Sequence, residues 1–173
     1  MTKIKRLMTA VMILAAACAA GASFKAATVQ EMAKYGATHI LEWSAADLTG
    51  TATNATLVFT NTLTGPLSMK FEGYLLDEEF DTKVYTNALV GLAVSVGDTS
   101  SATNWISALE VAKDATPTTW ASFGTDPSPW INAQTGTVSV VTTFAMTGPT
   151  ITMGSLDRGR LRTFWRVLWP KQD

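Results

Sequence analysis

One run constrains what this chain can fold into more than any other: Ala88-Leu89-Val90-Gly91-Leu92-Ala93-Val94-Ser95-Val96. Bulky Val90, Leu92, Val94 and Val96 alternate with small Gly91, Ala93 and Ser95. This is the period of two of a strand with one face in a core and the other closely approached by neighbours. The run breaks at Gly97-Asp98-Thr99-Ser100-Ser101-Ala102-Thr103-Asn104 and resumes at Trp105. It marks a β-sandwich and contains no catalytic group.

A chain of 173 residues, 47 % of them apolar, can build one domain with a real core but not comfortably two. Threonine is frequent, with valine and aromatics beside it, and such side chains suit a pleated, half-buried surface. The expectation is an all-β fold, a single antiparallel β-sandwich of jelly-roll type. The formal net charge of −1 supplies no basic face for nucleic acid.

Residues 1–22 read as a secretory signal. Lys3, Lys5 and Arg6 form a cationic start, Leu7 to Ala20 an apolar run, and Ala20-Gly21-Ala22 a small-residue cleavage site. The run is shorter than the roughly 20 residues of a permanent helical anchor, so no stable membrane span is expected after processing. A lipoprotein alternative runs through Ala15-Ala16-Ala17-Cys18, and a retained N-terminal helix is the third reading. Without residues 1–22 the chain has no cysteine, which rules out disulfides, thiolate nucleophiles and cysteine zinc sites in the mature form.

Residues 23–36 read as a linker or short helix ending at Gly36, and 37–173 as the sandwich domain. A strand over Thr38–Ser44 sets His39, Leu41 and Trp43 against Thr38, Ile40 and Glu42. Thr53–Thr60 follows, then a turn over Asn61–Pro66, and Leu67–Leu76 is expected to pair with it, with Leu67, Met69 and Phe71 inward. Asp77–Asp81 reads as an acidic loop. Trp105–Ala112 fits a strand or a short helix, and Thr116–Trp130, with three prolines, reads as the longest loop. Val138, Val140, Phe144 and Met146 oppose Thr137, Ser139, Thr143 and Thr147. The last strand sets Leu161, Thr163, Trp165, Val167 and Trp169 against Arg160, Arg162, Phe164, Arg166 and Leu168.

Few residues suggest chemistry. His39 is the single histidine, and neither a Gly-x-Ser-x-Gly elbow nor His-Glu-x-x-His occurs, so it reads as a packed or surface group. Two carboxylates from distant segments would suffice for glycoside hydrolysis if the fold brought them to a suitable separation. Asp77, Glu78, Glu79 and Asp81 lack the ligand order and central glycine of an EF-hand and read as solvated charge. Asp98 is expected to shape its turn by bonding nearby backbone. No catalytic residue, metal ligand or cofactor is expected.

The layout resembles small phage proteins of the virion-associated structural type. The residues that carry the resemblance are the Ala46-Asp47-Leu48-Thr49 turn, the Thr-rich second strand, Val94-Ser95-Val96-Gly97-Asp98 followed by Ala102-Thr103-Asn104-Trp105, and the closing Gly159-Arg160-Leu161-Arg162-Thr163-Phe164-Trp165-Arg166-Val167. The resemblance implies a non-enzymatic decoration, fibre-associated or minor capsid protein located in the virion. Its partners would be copies of itself or other virion proteins.

Arg160, Arg162 and Arg166 share a strand face with Phe164 and Leu168, a mixture found both at interfaces and on guarded edge strands. They form the expected contact surface. The alternative is a secreted, periplasmic or cell-surface β-sandwich module that binds a surface or a carbohydrate, with Trp105, Trp120 and Trp130 as its platform; Trp43, Trp165 and Trp169 are expected in the core.

Overall fold

The computed structural model describes residues 22–82, 89–112, 121–122, 130–133, 136–147 and 151–169. The signal-like residues 1–21 with Cys18, as well as Ala88, Trp120 and Gly148-Pro149, lie outside them. The elements are β1 (Lys25–Ala26), α1 (Val29–Tyr35), β2 (His39–Ser44), β3 (Thr56–Thr64), β4 (Leu67–Asp81), β5 (Gly91–Gly97), β6 (Ile106–Glu110), β7 (Ala121–Ser122), β8 (Ile131–Ala133), β9 (Thr137–Thr147) and β10 (Arg158–Leu168). Two antiparallel sheets pack face to face. One runs β1-β2-β10-β4, with β7 and β8 both pairing with β4; the other runs β3-β9-β5-β6.

The pairing is nested. β2 pairs with β10, β3 with β9, β4 with β7 and β8, and β5 with β6. The chain is thus one long hairpin whose tip is the turn after Gly97, rolled so that successive pairs fall into alternate sheets. This is the jelly-roll arrangement.

At the tip, Asp98 Oδ1 accepts from the backbone N–H groups of Ser100 and Ser101 at 2.7 and 2.9 Å, and Oδ2 accepts from Asn104 Nδ2 at 2.8 Å. Burial alone would raise this carboxyl's pKa, but the Ser100 hydroxyl, which also donates to Oδ1, together with these hydrogen bonds outweighs it and holds the value below the ordinary one. A Cβ on Gly97 would collide with the Ser101 carbonyl, so only glycine fits there.

Between the sheets lie Trp43, Trp165, Phe71, Phe80, Phe144, Leu41, Leu92 and Val140, all fully buried. The aromatics interlock: Trp43 meets Phe59 at 4.5 Å between ring centroids, and Phe71 meets Trp165 at 4.9 Å. Side chains of this size each gain about 1.5–3 kcal/mol on leaving water.

Several expectations need correction. Leu67–Leu76 does not pair with the preceding strand; β3 and β4 belong to opposite sheets, joined at Gly65-Pro66. There Gly65 N–H donates to Gly136 O at 2.6 Å. The turn expected over Asn61–Pro66 is correspondingly shorter, since β3 continues to Thr64. The acidic stretch Asp77–Asp81 is the end of strand β4, paired with β10, and its Asp77, Glu79 and Asp81 meet arginines of that strand. Val90 is 72 % exposed, as β5 begins only at Gly91. Trp169 lies just past the end of β10 and is 50 % exposed. Trp105–Ala112 contains the strand β6, and within the expected long loop Ala121–Ser122 adds to β4.

Candidate functional site

Helix α1 begins where Thr28 and Glu31 form a reciprocal cap. Glu31 N–H donates to Thr28 Oγ1 at 3.3 Å, and Thr28 N–H to Glu31 Oε2 at 2.9 Å. It ends at Gly36, left-handed at φ 68°, whose N–H donates to Met32 O. Seven residues are too few for a helix to persist alone. Its support comes from the outer face of β10.

Arg162 Nη1 donates to Glu31 Oε1 at 3.0 Å, at the helix's first turn. Arg166 Nε donates to Gly36 O at 2.9 Å, at its last. These arginines are four residues apart on a strand, roughly 13 Å, which matches a two-turn helix of about 10 Å and its caps. Phe164 lies between them, fully buried with Ala27, Ala37, Ile40 and Leu75. Tyr35 covers it at 4.7 Å between ring centroids, and the Arg162 guanidinium sits 5.5 Å from the Phe164 centroid.

The face expected to meet a partner is therefore occupied by the chain's own helix. Phe164 is unavailable to an outside surface because Tyr35 of α1 and the flanking Ala27 and Ala37 cover it. The segment read as a linker or short helix is a helix tied down at both ends. Arg160 and Leu168 remain exposed on this face, Leu168 at 49 %.

The remaining charges pair in a ladder across the sheet. Arg158 Nη2 meets Glu79 at 2.9 Å and Asp81 at 2.7 Å, Arg160 meets Glu42 at 2.9 Å, and Arg166 Nε lies 2.8 Å from Glu72. Hydrogen bonding to Asp77 raises the Arg162 pKa, and hydrogen bonding to Asp81 raises that of Arg158. The backbone hydrogen bond from Thr28 is the chief reason the Glu31 pKa is lowered; burial opposes it, and the Thr28 hydroxyl and the nearby arginines assist. Asp77, Glu79 and Asp81 thus serve as cross-strand partners of arginine rather than as a solvated loop. Among the described residues no group of three or more His, Cys, Asp or Glu is arranged to hold a metal ion.

His39 is half-buried beside Phe24 and Trp169, with ring centroids 6.4 and 5.3 Å away, and shares a hydrogen bond at 2.9 Å between Nδ1 and Thr38 Oγ1. Burial lowers its pKa. Of the three tryptophans expected as a platform, Trp105 is buried at the hairpin tip, edge-on to Trp165 at 5.0 Å. Its backbone N–H donates to Val96 O at 2.9 Å, and its ring belongs to the core between the sheets. Trp120 lies outside the described residues, and Trp130 is 40 % exposed.

No family model, no curated protein and no solved structure matches this chain. Among the described residues no helix is long and apolar enough to cross a membrane.

One surface was not legible in the sequence, the outer edge of β3. Among the described residues this strand pairs only with β9. Its sequence, Thr56-Leu57-Val58-Phe59-Thr60-Asn61-Thr62-Leu63-Thr64, carries no charge and no proline. The signal was present in that composition, but ending the strand at Thr60 concealed its length.

Proposed function

We propose that this chain is a non-enzymatic structural protein that acts by contact, as a phage virion component of the decoration, fibre-associated or minor capsid type. The observation that carries the reading is the nested jelly-roll pairing of β2 with β10 through β5 with β6, since this architecture recurs in viral capsid and lectin domains. Two further features favour contact over chemistry. The arginines of β10 are committed to holding α1 and its neighbouring strands, and the exposed apolar side chains Val58, Trp130, Leu168 and Trp169 lie on the exterior.

The second reading, a secreted or cell-surface carbohydrate-binding module, draws on the same architecture and on exposed Trp130. Particles purified from cells expressing the gene, analysed by mass spectrometry for peptides of this chain, separate the two. Stoichiometric recovery with the particle supports the virion role. Recovery only in the particle-free medium or on the cell envelope overturns it and favours the module.

A further inference from the structure

We infer that the free edge of β3 pairs with β3 of a second copy of this chain, antiparallel and centred on Thr60, joining two sheets into one. This deepens the assembly reading, on which its biological context rests, by naming the partner and the surface.

Among the described residues the other edge strands of the sandwich are short or charged. β1 and β7 have two residues each, the former with Lys25, β8 has three, and β6 has five with Glu110. Short or charged edges resist strand addition. β3 has nine residues, no charge and no proline; Asn61 Nδ2 donates to Ala22 O, and Val58 is 52 % exposed.

The sequence of β3 also says what fits beside it. Read outward from Thr60, the strand is self-complementary: a two-fold axis there sets Thr56 against Thr64, Leu57 against Leu63, Val58 against Thr62 and Phe59 against Asn61. Leu57 and Phe59 are buried, Asn61 and Leu63 half-buried, and Thr56, Val58, Thr60, Thr62 and Thr64 exposed. Core-facing residues of one copy therefore meet core-facing residues of the other, and threonines meet threonines or Val58, a favourable cross-strand combination. No like charges are opposed. The contact is isologous and closes as a dimer.

The test uses purified full-length chain in a Cys18→Ser background. Sedimentation should give a dimer at micromolar concentration. Thr60→Lys sets two ammonium groups side by side on the axis and should weaken the dimer roughly tenfold or more, while melts taken at concentrations low enough for both proteins to be monomeric stay alike.

Cysteine cross-linking fixes the register independently of any folding defect in the lysine variant. Thr60→Cys should form an intermolecular disulfide on oxidation, because directly opposed residues lie within disulfide reach. Thr56→Cys alone should not, since its own copy would be about 27 Å away, whereas Thr56→Cys mixed with Thr64→Cys should. A monomeric wild type, or equal cross-linking by Thr56→Cys and Thr60→Cys, overturns the inference. A dimer with this register that never appears in particles keeps the inference and removes the virion reading.

Discussion

Arg162 and Asp77 meet fork to fork, with Nε donating to Oδ2 and Nη2 to Oδ1, both at 2.7 Å. A third guanidinium nitrogen holds Glu31, so one side chain of β10 ties β4 to helix α1. Bidentate geometry and partial burial make such a pair stronger than an exposed one.

Arg162→Ala and Asp77→Ala are each expected to lower stability by about 1–3 kcal/mol, because each strands a partly buried partner. The side chains are 17 % and 24 % exposed, which argues for the lower half of that range. Urea melts of both single variants and the double should reveal non-additivity of about 1 kcal/mol. Additive losses would mean that the pair contributes no direct coupling.

Phe164→Ala should cost about 3–5 kcal/mol, the usual loss for emptying a buried aromatic site. It should also remove the anchor of Tyr35 and let α1 unfold locally, so trypsin would cut after Lys34 in the variant before the rest of the domain. If Phe164 faced a partner, the isolated protein would melt unchanged. By the same logic, replacing Arg160, Arg162 and Arg166 together by Ser should destabilise the fold, where a pure contact surface would leave it intact.

Leu92→Asp and Val140→Asp should each unfold the domain, since an unpaired buried carboxylate costs several kcal/mol, comparable with a small domain's total stability. Both positions are fully buried. Val90→Asp is the control: at 72 % exposure it should fall within about 0.5 kcal/mol of wild type. Circular dichroism melts of the three variants check the edge of β5 directly.

Burial holds the His39 pKa below its ordinary value of 6.5. Below 6.5 the unfolded chain takes up a proton on this imidazole before the folded chain does. The contribution of His39 is therefore complete above that pH and is lost as pH falls towards the folded value. Glu31 and Asp98 act in the same direction but at lower pH, below their ordinary values of 4.5 and 3.8. Urea midpoints measured between about pH 7.5 and 5 should decline in wild type, and His39→Gln should flatten that decline. An identical slope in the variant would assign it to other groups.

The alternation of Leu67, Met69 and Phe71, of Val138 to Met146 and of Leu161 to Val167 is local information, because a strand's period of two sets buried faces without reference to what lies opposite. That is why the all-β class, most inward faces and the Asp98 turn were legible in the sequence alone. Periodicity carries no partner information. The sheet assignment of β3 and β4 came from which strands could nest around the tip at Gly97.

The outer face of β10 illustrates the limit most clearly. Arg162, Phe164 and Arg166 alternate as a solvent-facing row would, and nothing local distinguishes a row that meets water or a partner from one that α1 covers. The helix's caps, Thr28 with Glu31 and Gly36, were short-range and readable. Its resting place was decided by residues 130 or so positions away: Arg162 reaching Glu31 and Arg166 reaching Gly36. Such contacts form only after the sandwich has brought β10 beside β2 and β4. The sequence determined a sandwich and its faces; tertiary structure decided which of those faces remained free.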